Sequence, residues 1–495
     1  MTTEVPDTPE NRASCICPGC PSFPLGTGKE EILYCSTGAS RCEIHALGCI
    51  CTACPVYDDC HLRGIYFCDR VLPEGVTRPV RKQRAGESDA AYRSMIGIRT
   101  IAASGKGITA AMGSLKRMPF TLDDLHFIPA QVHRVPLNRE EPVATGITFG
   151  PAARRPLGLP TPILVSGMSY GAVSRSLKLA IAGASAKAGF GFNTGEGGTL
   201  EEELATAPGT LVMQYSTGRF GITEEKLRRA AAVEIRFGQG AYPGKGSYLP
   251  AEKITPDIAR IRGLKDGEAA YSPARHPDMA DTGQIREKIA WLKSLTGGIP
   301  VGAKIGCGNV EEDAGDLAGA GADFIALDGF GGGTGATDLA VRENVGIPLV
   351  AALPRADRAL RALGLRDRVT LIGGGGLRTA ADFAKCLALG ADAVYIGTAA
   401  MIAVNCEQYR LCHTGRCPTG TTTQNPALEA QLDVGVGADR LANFIRVSTD
   451  ELAEFARVTG KKDVHALDIS DLVSLREDLS RITGCAWAGG PVSKG

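Results

Sequence analysis

No stretch of this 495-residue chain approaches the roughly 20 consecutive apolar residues needed to cross a bilayer, so no spanning helix is expected. The opening Met-Thr-Thr-Glu-Val-Pro-Asp has neither a basic n-region nor an apolar h-region, which argues against a signal peptide and for a cytoplasmic protein. Neither charge is in excess: Lys plus Arg and Asp plus Glu each number 54, so no global field favours nucleic acid or an anionic membrane. A local exception is residues 70–120, where ten Arg or Lys face three Asp or Glu. That stretch reads as a solvated connector, or as a docking surface for an acidic electron carrier. Also missing is a strand–GxGxxG–helix followed by an acidic residue, which sets aside a dinucleotide-binding sheet.

What the chain does have is 16 cysteines, and in a reducing compartment these read as metal ligands or buried thiols rather than disulfides. Ten lie between Cys15 and Cys68. There Cys15-Ile-Cys17-Pro-Gly-Cys20-Pro-Ser-Phe reappears as Cys49-Ile-Cys51-Thr-Ala-Cys54-Pro-Val-Tyr. Each copy is closed by a similar signal about 14 residues on, Leu33-Tyr34-Cys35 and Ile65-Tyr66-Phe67-Cys68. Four thiolates per half is the count for a [4Fe–4S] centre or an all-cysteine zinc site. Cys42 and Cys60 are left over, or are alternative ligands.

A second group is Cys406, Cys412 and Cys417, in a Cys-x5-Cys-x4-Cys pattern closed by proline. Thiolates select iron–sulfur clusters, zinc or copper(I). Three of them suit a cluster with one corner missing, while His413 as a fourth ligand would make a zinc site. Cys307, Cys386 and Cys485 stand apart and read as small core residues.

From residue 160 onward, short apolar runs alternate with helical patterns at the spacing of βα units. The expected strands are Pro162–Gly167, Gly189–Thr194, Leu211–Ser216, Val233–Gly238, Pro300–Gly306, Asp323–Asp328, Val369–Gly373 and Ala393–Gly397. Eight such units close most naturally into an α/β, (β/α)8 TIM barrel. In that fold chemistry sits where strands end, and phosphate is held after strands seven and eight. Gly373-Gly-Gly-Gly376 and Gly397-Thr398 occupy those two loops. Lys304, a charge inside an apolar strand, is expected to face a ligand, with a buried ion pair as the alternative.

Residues of about 120–430 resemble the FMN-binding synthase domain of the glutamate synthase family. The resemblance rests on Phe120-Thr-Leu-Asp-Asp-Leu-His-Phe-Ile-Pro-Ala-Gln, Ser166-Gly-Met-Ser-Tyr-Gly-Ala-Val-Ser174 and Asn193-Thr-Gly-Glu-Gly-Gly198. It continues through Gly218-Arg-Phe-Gly221, Gln239-Gly-Ala-Tyr-Pro-Gly244, Gly331-Gly-Gly-Thr-Gly-Ala336, Gly375-Gly-Leu-Arg-Thr379 and the Cys406 group. The resemblance implies FMN, held by Met168, Ser169, Gln214, Lys304, Gly332, Gly333, Gly375, Gly376, Gly397 and Thr398. It also implies a [3Fe–4S] centre on Cys406, Cys412 and Cys417, and reduction of a substrate of the 2-oxo acid or imine type. Substrate carboxylates would meet Ser216, Arg219, Arg236 and Gln239. Glu196, Arg236 and Gln239 are the catalytic candidates; Glu196 handles a proton, or orders its loop.

Several positions depart from the family pattern. Arg236 replaces a lysine and adds a bidentate fork. Tyr242 stands for a lysine, Lys245 for a carboxylate and Ser247 for a glycine. Ala274-Arg-His-Pro-Asp278 stands for Pro-His-His-Asp, and Gly374 for an aspartate. No N-terminal-nucleophile glutaminase and no C-terminal β-helix are expected, so nitrogen would come from a partner or a free amine.

The expected organisation is a cysteine-rich module at 1–72, a connector at 73–150, the barrel at 151–430 and a helical extension at 431–495. In the module, Cys15, Cys17, Cys20, Cys35, Cys49, Cys51, Cys54 and Cys68 would hold two [4Fe–4S] clusters, or zinc. They would take electrons from a ferredoxin or a reductase subunit, in a protein expected to be a homo-oligomer. An amine-using synthase resembling N-methylglutamate synthase and a pure electron-transfer relay are the competing functions.

Overall fold

The eight apolar runs become eight short parallel strands: β1 (Ile163–Val165), β2 (Phe192–Asn193), β3 (Leu211–Tyr215), β4 (Ala232–Arg236), β5 (Val301–Gly306), β6 (Phe324–Asp328), β7 (Thr370–Gly374) and β8 (Ala393–Ile396). Nearly every residue in them is buried, because one face lines the barrel interior and the other lies under helices. They pair in sequence order and close, with β8 beside β1, so the barrel is present as expected. The computed structural model describes residues 5–24, 31–40, 42, 44, 49–62, 67–69, 89–265 and 267–490. Ile65-Tyr66 and residues 70–88 of the basic stretch lie outside these.

The helices follow from capping and periodicity. Helix α1 (Arg175–Ala188) starts where Ser174 Oγ accepts from the Leu177 N–H at 3.2 Å and stops at Gly189, whose φ is +74°. Leu177, Ile181 and Ala184 form its buried stripe. Helix α2 (Thr282–Leu295) starts the same way, with Asp281 accepting from the Gln284 N–H at 2.9 Å. Inside the barrel, Leu164, Val212, Phe324 and Ile372 form an apolar plug. A hairpin of Ile147–Phe149 with Leu157–Leu159 closes the end where the strands begin; Phe149 meets Phe324 with ring centroids 4.7 Å apart. With that end sealed, a ligand can enter only where the strands finish.

The segment 431–495 holds helix α3 (Val434–Val458), packed on α1, and then a strand, Leu472–Ser474. That strand pairs with Leu125–Phe127 and Ala486–Trp487, so the tail is a helix plus a small sheet rather than helix alone. The chain divides into two compact units at 108/109, between the expected boundaries at 72 and 150.

In the first unit the sequence repeat is also a structural one. Each copy makes a 3-10 turn, Cys17–Gly19 and Cys51–Ala53, preceded by an isoleucine and followed by an extended cysteine, Cys20 or Cys54. The apolar cluster there includes Leu33, Val56, Leu62 and Phe67 together with the cysteines. Among the described residues no helix is long and apolar enough to cross a membrane.

Candidate functional site

A cavity of about 380 Å³ opens where the barrel strands end. All ten positions expected to hold FMN line it: Met168 and Ser169 after β1, Gln214 on β3, Lys304 on β5, Gly332 and Gly333 after β6, Gly375 and Gly376 after β7, and Gly397 and Thr398 after β8. Part of its wall is glycine backbone. A Cβ on Gly375 would lie 2.6 Å from the Gly329 carbonyl oxygen, and one on Gly113 2.2 Å from that of Gly331. At Gly375, with φ +108°, any side chain is excluded twice over.

The floor is a buried polar network that the sequence reading only half found. Glu234 Oε1 accepts from Asn193 Nδ2 and from Gln214 Nε2, each at 2.8 Å. Lys304 Nζ donates to Ser166 Oγ at 2.9 Å, pairs with Asp328 at 3.2 Å and lies 5.5 Å from the centre of the Tyr395 ring. Lys304 therefore has the ion pair and the ligand-facing position at once. Glu234 and Asp328 were missed, although Glu234 carries the signal that flagged Lys304: a charge in an apolar strand, Ala-Val-Glu-Ile-Arg.

Glu196, Arg236 and Gln239 also line the cavity. Arg236 Nη2 meets Glu196 Oε2 at 2.5 Å, and its Nη1 donates to the Tyr242 hydroxyl at 2.9 Å. Ser272 Oγ donates to Glu196 at 2.8 Å, and Ser247 Oγ donates to its other oxygen. Burial alone would raise the Glu196 carboxyl, but Arg236, Ser247 and Arg262 hold it below its ordinary value. Burial pushes Tyr242 up to about 12, so its hydroxyl stays protonated. Arg236 Nε is buried without a hydrogen-bond partner. Three departures from the family pattern, Arg236, Tyr242 and Ser247, thus belong to one cluster around Glu196.

Ser216 and Arg219 are not brought to the cavity wall. Arg219 stacks 3.9 Å over the Tyr215 ring, pairs with Asp278 and meets His276 Nδ1 at 2.7 Å. Burial first, and Arg219 second, push His276 down to about 4. The neutral ring then donates from Nε2 to the Arg236 carbonyl, 3.0 Å away, and accepts at Nδ1. Arg219 and His276 so buttress β4 from beside the site.

Cys406, Cys412 and Cys417 are all buried, and Cys412 and His413 share the cavity wall. Their loop is rich in donors to sulfur. The Gln408 N–H points at Cys406 Sγ at 3.3 Å, and Cys417 Sγ lies 3.2 and 3.1 Å from the Thr419 and Thr421 hydroxyls. Burial would raise the Cys417 thiol, yet these hydroxyls and Thr422 hold it below its ordinary value. Burial pushes Cys406 up to about 11. Lys253 Nζ braces the loop through the Cys412 carbonyl at 2.9 Å. Gln408 and Arg410 both take left-handed φ, near +60°, a conformation the surrounding contacts must enforce.

In the first unit one apolar pocket is lined by Cys15, Cys17, Cys20, Cys35, Cys49, Cys51, Cys54 and Cys68. Cys42 and Cys60 do not line it. Among the described residues no three Cys, His, Asp or Glu side chains converge tightly enough to hold a single metal ion. Cys307, Cys386 and Cys485 are buried, as expected of core thiols.

A family model described as "Conserved region in glutamate synthase" matches residues 95–462. The chain belongs to the glutamate synthase family. A second model, "Protein of unknown function (DUF2769)", matches residues 15–69, the whole cysteine repeat. A glutamate synthase large subunit-like protein of Rhizobium meliloti is 38% identical over 411 residues, 79% of this chain and 92% of that one. The archaeal glutamate synthase [NADPH] of Methanocaldococcus jannaschii is 41% identical over 66% of this chain, which spans 63% of that protein. For the archaeal-type enzyme of Thermotoga neapolitana the identity is 41%, over 63% of this chain and 61% of that one. Among solved structures, a lactate oxidase of Pediococcus acidilactici aligns over 72% of this chain and 84% of that one, with a TM-score of 0.48 at 14% identity.

Proposed function

We propose that this glutamate synthase-like chain is a flavin-dependent oxidoreductase that holds FMN in the barrel cavity and a [3Fe–4S] centre on Cys406, Cys412 and Cys417. It passes electrons from iron–sulfur centres in the cysteine repeat, by way of that centre and FMN, to a small carboxylate-bearing 2-oxo acid or imine. An external donor such as a ferredoxin or a reductase subunit feeds it, and nitrogen arrives as a free amine or from a partner. The observation that carries this reading is convergence: ten positions from six strand ends meet in one cavity whose wall includes Cys412.

The residues fit the groups they would hold. Gly375, Gly376, Gly332 and Gly333 give a wall without side chains for a phosphate tail, with Thr398 adding a hydroxyl. Lys304 supplies a buried cation and Gln214 an amide to an isoalloxazine ring. Flavin, when bound, supplies hydride chemistry that no side chain here can perform. The Thr419 and Thr421 hydroxyls and the Gln408 N–H stabilise thiolates, the form that ligates iron.

The chain's own groups then define what the acceptor must do. Arg236 is already paired with Glu196, so a substrate carboxylate must compete for a guanidinium whose charge is half spent. Its orphaned Nε and Gln239 are the donors left for it. Glu196, once released, is a carboxylate at the cavity mouth able to carry a proton to or from nitrogen. A second reading, an amine-using synthase resembling N-methylglutamate synthase, is favoured by the same pair: Glu196 and the Tyr242 hydroxyl can meet a cationic or neutral amine beside the acid.

The test is anaerobic reoxidation of the reduced flavin by 2-oxo acids, with and without ammonia or methylamine. Both enzyme readings expect substrate-dependent reoxidation that falls at least about tenfold in Arg236→Met. Reoxidation by no acid–amine pair, with Arg236→Met unchanged toward artificial acceptors, overturns them in favour of a relay subunit.

A further inference from the structure

We infer that the two halves of the cysteine repeat exchange one ligand each, so that the metal centres are held by Cys15, Cys17, Cys35 and Cys54 and by Cys20, Cys49, Cys51 and Cys68. This deepens the proposed iron–sulfur reading of the repeat and rests on it for the metal. The sequence assigns four cysteines to each half in order; the structure sorts them differently.

The exchange is visible at both third cysteines. Cys54, from the second half, brings its Sγ to the Ser14 carbonyl at 4.0 Å, one residue before Cys15. Cys20, from the first half, receives the backbone N–H of Ile50, the residue between Cys49 and Cys51. Each third cysteine thus contacts backbone of the other half. The local backbone explains it. Each third cysteine follows a 3-10 turn in extended conformation, with φ and ψ of −71° and 135° at Cys20 and −89° and 129° at Cys54. An extended residue after a tight turn leaves the surface that the turn's own two thiols face.

The closing cysteines complete each set. Cys15 and Cys17 accept backbone N–H groups from Leu33 and Tyr34, the turn that leads into Cys35. The thiols acting on Cys35 are Cys15, Cys54 and, more weakly, Cys60, while Cys51 acts on Cys17 across the boundary between the sets. Those acting on Cys68 are Cys20, Cys51 and Cys49. Cys42 and Cys60 lie off the pocket and are not needed to reach four ligands per centre.

Lacing of this kind is the solution found in duplicated two-cluster ferredoxins, where one cysteine of each run ligates the other cluster. Its physical effect is that neither half can complete a centre alone. The eight thiols line one pocket, which suits a short electron path between the centres.

The experiment is a metal count on the full chain, purified without oxygen, for two double variants measured against a chain lacking all eight cysteines. Cys15→Ser with Cys54→Ser should lose about half of the module's metal, since both belong to one set. Cys15→Ser with Cys20→Ser should lose nearly all of it, since it breaks both sets. The opposite pattern assigns the ligands half by half and overturns the exchange. Should either double variant fail to fold, single serine variants decide: Cys20→Ser must shift the same electron paramagnetic resonance signal as Cys49→Ser, and Cys54→Ser the same one as Cys15→Ser. Grouping of Cys20 with Cys15 is contrary. The count applies equally to zinc, so metal of the wrong kind refutes the cluster reading alone, whereas a metal-free native chain refutes both.

Discussion

The cysteines of the repeat and those of the barrel solve one problem in opposite orders. In the barrel unit, Cys406 and Cys412 are members of a core that already contains Leu177, Phe192, Ile325 and dozens of other apolar residues, and a threonine-rich loop is held against it before any metal is considered. In the repeat, the apolar cluster is small and the cysteines are themselves part of it. With so small a cluster, apolar burial offsets little of the entropy of ordering that chain. On the proposed reading, the barrel would hold its metal ligands in place by packing, whereas the repeat would need metal to hold its own.

The largest effect expected from this contrast is on metal removal. Chelation under reducing, oxygen-free conditions should release residues 5–69 to fast hydrogen exchange while peptides from β3 and β4 keep their protection. For structural metals the coupled folding energy is of order 10 kcal/mol, so the change should be complete rather than partial. Undiminished protection of the repeat without metal breaks the comparison.

Within the barrel, side-chain pairing orders the site. Glu196→Ala leaves Arg236 buried with only the Tyr242 hydroxyl, and removing one member of a buried pair costs roughly 3–5 kcal/mol. Denaturant melts of the barrel should move by that amount while the metal content of the repeat stays as it was. A change under about 1 kcal/mol would mean that the pair is solvated in solution.

A smaller effect separates the units by pH. His276 sits at about 4 in the folded barrel against an ordinary 6.5. Its folded value is the depressed one, so between those limits the unfolded chain binds more protons. Stability is therefore full above about pH 6.5 and falls as pH drops toward 4, by up to about 3 kcal/mol. His276→Phe should flatten that slope in urea melts between pH 4 and 7. An unchanged slope assigns the acid sensitivity to carboxylates.

Much of this was legible in the sequence where local signals and global fold agree. The eight strands were readable because they are short, apolar on both faces and separated by capped helices such as Ser174–Ala188. The glycines were readable because two phosphate loops fall at fixed places in the barrel. The connections between distant side chains were not. Nothing local says that Ser247 meets Glu196, that Tyr242 meets its partner Arg236, or that Arg219 turns away to His276 and Asp278. Those contacts depend on where loops return after many residues, which periodicity and spacing do not encode. The strand in the tail was illegible for a related reason: Leu472–Ser474 pairs with Leu125–Phe127, far earlier in the chain, and with Ala486–Trp487.

The central claim is that one cavity seats a flavin against a thiolate-held cluster. Flavin extraction and electron paramagnetic resonance on anaerobically purified wild type and Cys412→Ser test it most directly. The account predicts FMN in both proteins, with a [3Fe–4S] signal in the wild type that the variant lacks. Extraction of FAD, of no flavin, or a signal indifferent to Cys412 contradicts it.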